Sequence, residues 1–296
     1  MMKKLMKLVL TVLAVCLLLS CCGGSGEEKP VTPANNGSQT AAPVTEATKA
    51  PEIQIEEALI YEGAGVTVTV KGMEEGWLGT DIKLLVENSS DRNIVLTGNN
   101  FVVNGVTLSG YLYIDAAAGK KANGTLTLYS DSLDVAGISQ IGYVTTCDAQ
   151  IYDSDSYETL TEVSMEIVTS LGRDYVQELD DSGEVLFESN GVQVIAKVMA
   201  DEFYGKSLLL LVKNNSGRTV NVQAENVSVN GFTVDAWMYD LVWADTLRFC
   251  DLDLWNSGLE ENGITEIQDI SFTISIIDPN SFNTIAKSGE LKVLVG

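Results

Sequence analysis

The sequence has no histidine in 296 residues, only 5 cysteines and 5 prolines, and 18 Lys+Arg against 41 Asp+Glu. Without an imidazole there is no Ser-His-Asp or Cys-His nucleophile pair, no histidine-ligated zinc and no histidine pH switch. The shortage of basic residues, a formal charge of −23, argues against nucleic acid as a partner, because phosphate binding needs a basic patch. Carboxylate-pair chemistry stays open, but with 41 acids a pair can be found anywhere, so its presence decides nothing. The length suffices for two domains of about 100–150 residues, each with its own core.

Long apolar runs are also missing. The longest stretch, Leu8–Leu19, follows Lys3, Lys4 and Lys7. Twelve helical residues span roughly 18 Å, short of the ~30 Å hydrocarbon core, so residues 1–20 read as a signal peptide rather than a membrane span. The end of this segment, Leu18-Leu19-Ser20-Cys21, resembles the bacterial lipobox. That resemblance implies cleavage before Cys21, acylation of its thiol and a lipid anchor on the extracytoplasmic face of the cell membrane. Cys22 fits less well, since Cys21 would then hold the small-residue position; a plain secretion signal with an incidental Cys-Cys pair is the alternative. Two or three acyl chains hold far better than one, at about 0.8 kcal/mol per buried CH₂. Residues 21–57 hold four of the five prolines and almost no large apolar side chain before Ile53. Such a composition does not repay its ordering entropy and predicts a disordered tether.

Everything after the tether is written twice. Shifted by 126 residues, Glu62–Ile141 aligns on Glu188–Ile267 without a gap and with 26 of 80 residues identical. After one deletion, Asp153…Ser156-Tyr157 matches Asp278…Ser281-Phe282. The pattern within each repeat is β: Gly65–Val70 and Ser271–Ile276 alternate apolar with polar, and Asn-Gly at 104–105 and 230–231 suits a type I′ hairpin turn. Short strands punctuated every 8–12 residues predict an all-β chain of two tandem immunoglobulin-like β-sandwiches, at 58–170 and 184–296. Residues 171–183 read as a short acidic linker that sets the sandwiches end to end. One helical turn is expected at Ser132–Gly137 and another at Gly258–Gly263.

Neither repeat holds two cysteines, so the immunoglobulin-type bridge is absent, and Cys147 and Cys250 are expected as buried free thiols, with an interdomain disulfide as the alternative. Six positions are aromatic in both repeats: Tyr61/Phe187, Trp77/Phe203, Tyr111/Trp237, Tyr113/Tyr239, Tyr129/Trp255 and Tyr157/Phe282. Recurrence favours packing shared by the fold. Trp243, opposite Ala117, has no aromatic counterpart. With Trp237 and Tyr239 it offers a ligand patch for a glycan or peptide, since residues two apart share a strand face; core or interdomain packing is the competing reading.

For metals, Asp153 and Asp155 are the one calcium candidate, and a weak one. Their loop has the first spacings of an EF-hand but Glu158 where glycine belongs and Ser164 where the bidentate Glu belongs. No motif for a cofactor or for catalysis is found, and no polar constellation stands out as unique to one repeat. That argues for binding or scaffolding over enzymatic activity.

The blocks Leu84-Leu85-Val86-Glu87-Asn88-Ser89-Ser90-Asp91-Arg92 and Asn100-Phe101-Val102-Val103-Asn104-Gly105, with their second-repeat equivalents, resemble a domain of lipoproteins from clostridia-like Firmicutes. The resemblance implies immunoglobulin-like domains of unknown function on the cell envelope. Its implied partners are the membrane, through the N-terminal lipid, and an envelope protein or glycan. A purely structural spacer or assembly subunit is the further alternative.

Overall fold

The computed structural model describes residues 53–295. The expected signal peptide (1–20), Cys21 and nearly all of the 21–57 tether lie outside the described residues. Among the described residues no helix is long and apolar enough to cross a membrane.

Residues 53–295 lie in one compact unit, nearly all β. The first repeat runs β1 (Ala58–Gly63), β2 (Val66–Glu75), β3 (Gly79–Asn88), β4 (Ile94–Val103), β5 (Val106–Ala116) and β6 (Lys121–Tyr129). It continues through α1 (Ser130–Val135) to β7 (Tyr143–Thr146), β8 (Gln150–Asp153), β9 (Thr159–Glu162) and β10 (Glu166–Val168). The second repeat runs β11 (Glu184–Ser189), β12 (Val192–Glu202), β13 (Gly205–Asn214), β14 (Val220–Val229), β15 (Phe232–Thr233), β16 (Ala236–Trp237) and β17 (Tyr239–Val242). It closes with β18 (Thr246–Trp255), α2 (Asn256–Glu261), β19 (Asp269–Ile277), β20 (Thr284–Lys287) and β21 (Leu291–Leu294). Both helices form one turn, starting two residues earlier than the sequence suggests.

Pairing registers repeat as the sequence does. Val66 faces Asn88 and Val192 faces Asn214; Gly79 faces Tyr129 and Gly205 faces Trp255. Each second pair lies 126 residues on from the first. Alternation along β3 and β13 sends Ile82, Leu84 and Val86 into one core, and Leu208, Leu210 and Val212 into another. The Asn-Gly hairpins hold positive φ at both central residues in both repeats, as a type I′ turn requires.

The best-matched sequence block proves to be a polar clasp. Buried Asn88 donates through Nδ2 to the carbonyls of Arg92 (2.7 Å), Ala116 (2.9 Å) and Ala117 (3.2 Å), and its Oδ1 accepts from Ser90. Asn214 does the same with Arg218, Val242, Trp243 and Ser216. Each clasp ties two loops at one end of its repeat and supplies donors to the backbone carbonyls that meet there. The one-residue deletion between repeats falls between β7 and β8. There Asp148 accepts from the Asn99 and Asn100 amides (2.9 and 3.0 Å) beside the irregularity in β4, whereas β19 runs straight through and β14 keeps an irregularity between Glu225 and Ser228.

The strands form a 15-stranded sheet and a 6-stranded sheet. In the larger, the order β1-β2-β3-β6-β5 of the first repeat continues into β18-β13-β12-β11 of the second. The expected end-to-end arrangement is therefore corrected: the repeats meet side by side. Leu247 pairs in parallel with Val106 and its amide donates to the Gly105 carbonyl (3.1 Å). Thr107 and Thr246 hydroxyls share a buried hydrogen bond (2.9 Å), and Phe249 packs on the first core. The linker is pinned to both repeats: Leu179 packs on the first core, while Lys197 and Lys213 of the second bind Asp180 and Asp181. The tether also ends earlier than 57, since Ser170 donates to the Gln54 carbonyl (2.7 Å) and Ile55 touches the core.

Candidate functional site

The side-by-side junction leaves an open cleft of about 670 Å³, within the range of small-molecule sites. Thr107, Leu108, Ser109, Asp131, Ser132 and Val135 wall it from the first repeat. The second repeat supplies the aromatics Tyr204, Trp237, Tyr239 and Phe249, the acids Glu202, Asp240, Asp251 and Asp253, and Arg248.

Strand geometry explains this grouping. Cys250, Leu252 and Leu254 of β18 face the second core, so Phe249, Asp251 and Asp253 face the opposite way, beside Ser207 and Leu209 of β13. Met238 is likewise buried, which turns Trp237 and Tyr239 outward with ring centroids 6.1 Å apart.

The one base of the cleft is already engaged. Arg248 Nε lies 3.1 Å from Asp240, and its Nη1 donates to the Leu241 carbonyl and to Asn100 of the first repeat (3.1 Å). Burial still lifts Asp240 above the usual carboxylate range. Asp251, Asp253, Glu202 and Asp131 have no ion-pair partner among the described residues. Burial, reinforced by the charges of Asp253, Asp240 and Glu202, pushes Asp251 up to about 6. Burial raises Asp253 as well, against the hydrogen bond it accepts from Tyr204 Oη (3.3 Å). Desolvated carboxylates that repel one another in an open cleft mark a place where an added positive charge is favourable.

Several sequence expectations change here. Trp237 and Tyr239 come together in the cleft. Trp243 does not line it: half-buried beyond the end of β17, its carbonyl accepts from Asn214 and Thr246. Of the shared aromatics, Tyr61 and Phe187 pack on their respective cores as expected, but recurrence does not mean burial elsewhere. Trp77 and Phe203 are 95% and 101% exposed at equivalent hairpin tips, and Tyr157 and Phe282 are exposed at equivalent positive-φ loop positions. Tyr111 and Tyr113 stand outward and stacked, 6.4 Å apart, like their counterparts Trp237 and Tyr239.

Asp153 caps its own loop, accepting from the Asp155 and Ser156 amides (2.9 and 3.0 Å), and faces Arg92. Asp155 accepts from Asn93 (3.2 Å). Asp278 repeats that turn in the second repeat, accepting from the Asn280 and Ser281 amides. No metal-holding cluster of His, Cys, Asp or Glu occurs among the described residues. Cys147 is half-buried and Cys250 buried, both free, with burial pushing the Cys147 thiol up to about 12.

The expectation of no polar constellation unique to one repeat is overturned. Asp240, Asp251, Asp253 and Glu202 align with Ile114, Thr125, Thr127 and Gly76, and Arg248 with Ala122. The signal was present in the alignment: subtracting one repeat from the other leaves this set standing.

No protein-family model matches the chain, and no curated protein matches it. A solved structure titled "The crystal structure of the conserved domain protein from Bacillus anthracis" is similar over 81% of this chain and 92% of its own, at 12% identity and a TM-score of 0.27.

Proposed function

We propose that the chain is a lipid-anchored, extracytoplasmic lipoprotein that presents two immunoglobulin-like β-sandwiches and binds a ligand at the cell envelope through the cleft between them. The basic start, the short apolar run and the Leu18-Leu19-Ser20-Cys21 motif support the anchor. Two separate hydrophobic cores, each with strands wrapped around it, support the sandwich reading. The observation that carries the binding role is the cleft itself, where the outward rings Trp237 and Tyr239 stand beside carboxylates without basic partners. Binding without catalysis is the reading adopted, and it requires no cofactor.

Fractionation of cells expressing the full chain tests the anchor. The protein is expected with the membranes and the Cys21→Ala variant released or unprocessed; a variant still retained with the membranes contradicts it. A second reading, a glycan platform, is favoured by the paired Trp237 and Tyr239 rings, which offer apolar faces to a sugar. It predicts glycan-array signal that Trp237→Ala abolishes while the melting temperature stays unchanged.

A further inference from the structure

We infer that the cleft recognises an aliphatic primary ammonium group, seated against Asp251 and Asp253 with its stem along Trp237 and Tyr239. The inference rests on the binding reading above and names its ligand chemistry.

The first repeat holds an ammonium at the equivalent place. Lys83 on β3 lies 3.0 Å from Glu74 and 3.3 Å from Asp81, and Thr127 on β6 donates to the other oxygen of Asp81 (2.7 Å). That face is electrostatically complete. In the second repeat Lys83 becomes Leu209, Asp81 becomes Ser207, and the neighbouring threonines 125 and 127 become Asp251 and Asp253. The carboxylates have moved one strand over, to β18, and the lysine that would neutralise them has gone.

Ser207 is the second observation. It is fully buried between its register neighbours Ala200 and Asp253, both of which line the cleft; its Oγ makes no hydrogen bond of normal geometry, although it lies close enough to the Asp251 carboxylate to hold back that group's rise. A buried hydroxyl without a partner costs free energy that a donor entering from the cleft recovers. An ammonium supplies three donors, enough for both carboxylates and the hydroxyl. The outward rings add the aromatic faces that cations and their methylene stems favour.

The test is calorimetric titration of the full chain with cadaverine at pH 7.5 and low salt, with 1,5-pentanediol as the uncharged isostere. A Gly-Gly-Lys-Gly-Gly peptide replaces cadaverine in a parallel arm. Cadaverine or the peptide is expected to bind at 1:1 and the diol not at all; the tighter of the two identifies a free amine or a lysine side chain as the source. Leu209→Lys, which restores the internal ammonium of the first repeat, should weaken binding by about tenfold or more, and Asp251→Asn should do likewise. A cooperative melting transition no lower than that of the parent chain, for both variants, shows that folding is intact. Absence of cadaverine and peptide binding at millimolar concentration, or binding indifferent to both substitutions, overturns the inference. Equal binding of diol and diamine also overturns it, yet leaves the cleft standing as a binding site, which separates this failure from failure of the broader reading.

Discussion

The first repeat carries β5 as one eleven-residue strand, whereas the second breaks the same segment into β15, β16 and β17. The registers on either side are unchanged: Gly110 faces Leu128 as Ala236 faces Leu254, and Thr97 faces Tyr113 as Gln223 faces Tyr239. What differs is how closely the strand is packed. A Cβ on Gly110 would lie 2.6 Å from the Thr127 carbonyl oxygen and 2.8 Å from the Phe101 ring. In the second repeat those neighbours are Asp253 and the smaller Val227, and Ala236 takes the glycine's place. The first repeat spends this face on a continuous sheet; the second turns it into the wall of a cleft. Positions held in common report the fold, and positions that changed charge together report the site.

Substitutions that break the common features should have the largest effects. Asn88→Ala or Asn214→Ala strips a clasp and takes the side-chain donor from the buried Ala116 or Val242 carbonyl, a loss of about 3 kcal/mol measured by denaturant unfolding. Similar losses at both sites would show that the clasp is a shared element; loss at one alone would break the equivalence. Next comes the packing difference. Gly110→Ala should cost about 2 kcal/mol through forced strand separation, while Ala236→Gly should cost about 1 kcal/mol or less.

A smaller, pH-dependent effect belongs to the second repeat alone. Folding raises Asp251 from its usual 3.8 to about 6. Between those values the folded chain holds more protons than the unfolded one, so this group's contribution falls as pH rises through the window and its full cost persists above 6. Asp251→Asn should therefore raise the melting temperature at pH 7.5 by about 2 °C, given the screening of a half-exposed group, and leave it nearly unchanged near pH 4. Thr125→Asn, at the equivalent first-repeat position, should show no such pH dependence. Smallest of all, Trp77→Ser and Phe203→Ser should shift stability by less than about 0.5 kcal/mol, because both rings are in water.

Much of the fold was legible in the sequence because its signals are local. Asn-Gly demands positive φ wherever it closes a hairpin, and a self-alignment at a shift of 126 residues predicts repeated registers. Tyr61 and Phe187 pack as their recurrence suggests, but the outward aromatics misled because recurrence fixes a position, not its direction. Buried Leu112 and Ile114 turn Tyr111 and Tyr113 outward by simple alternation, which the pattern of β5 already contained. The cleft was not legible in either repeat alone. It depends on Val106 meeting Leu247, a contact between residues far apart in the chain that no local periodicity encodes. Half of the site was nevertheless written in the differences between repeats, in Leu209 where Lys83 stands and in Asp251 and Asp253 where threonines stand.

The most direct test uses the indole N–H signals of Trp77, Trp237, Trp243 and Trp255 and the backbone amides, followed by NMR as cadaverine is added to the full chain. The predicted result is a saturable shift of the Trp237 indole and of the Asp251 and Asp253 amides, with Trp77 and the Lys83 amide unmoved. Shifts of equal size around Lys83, or none near Trp237, would contradict the account.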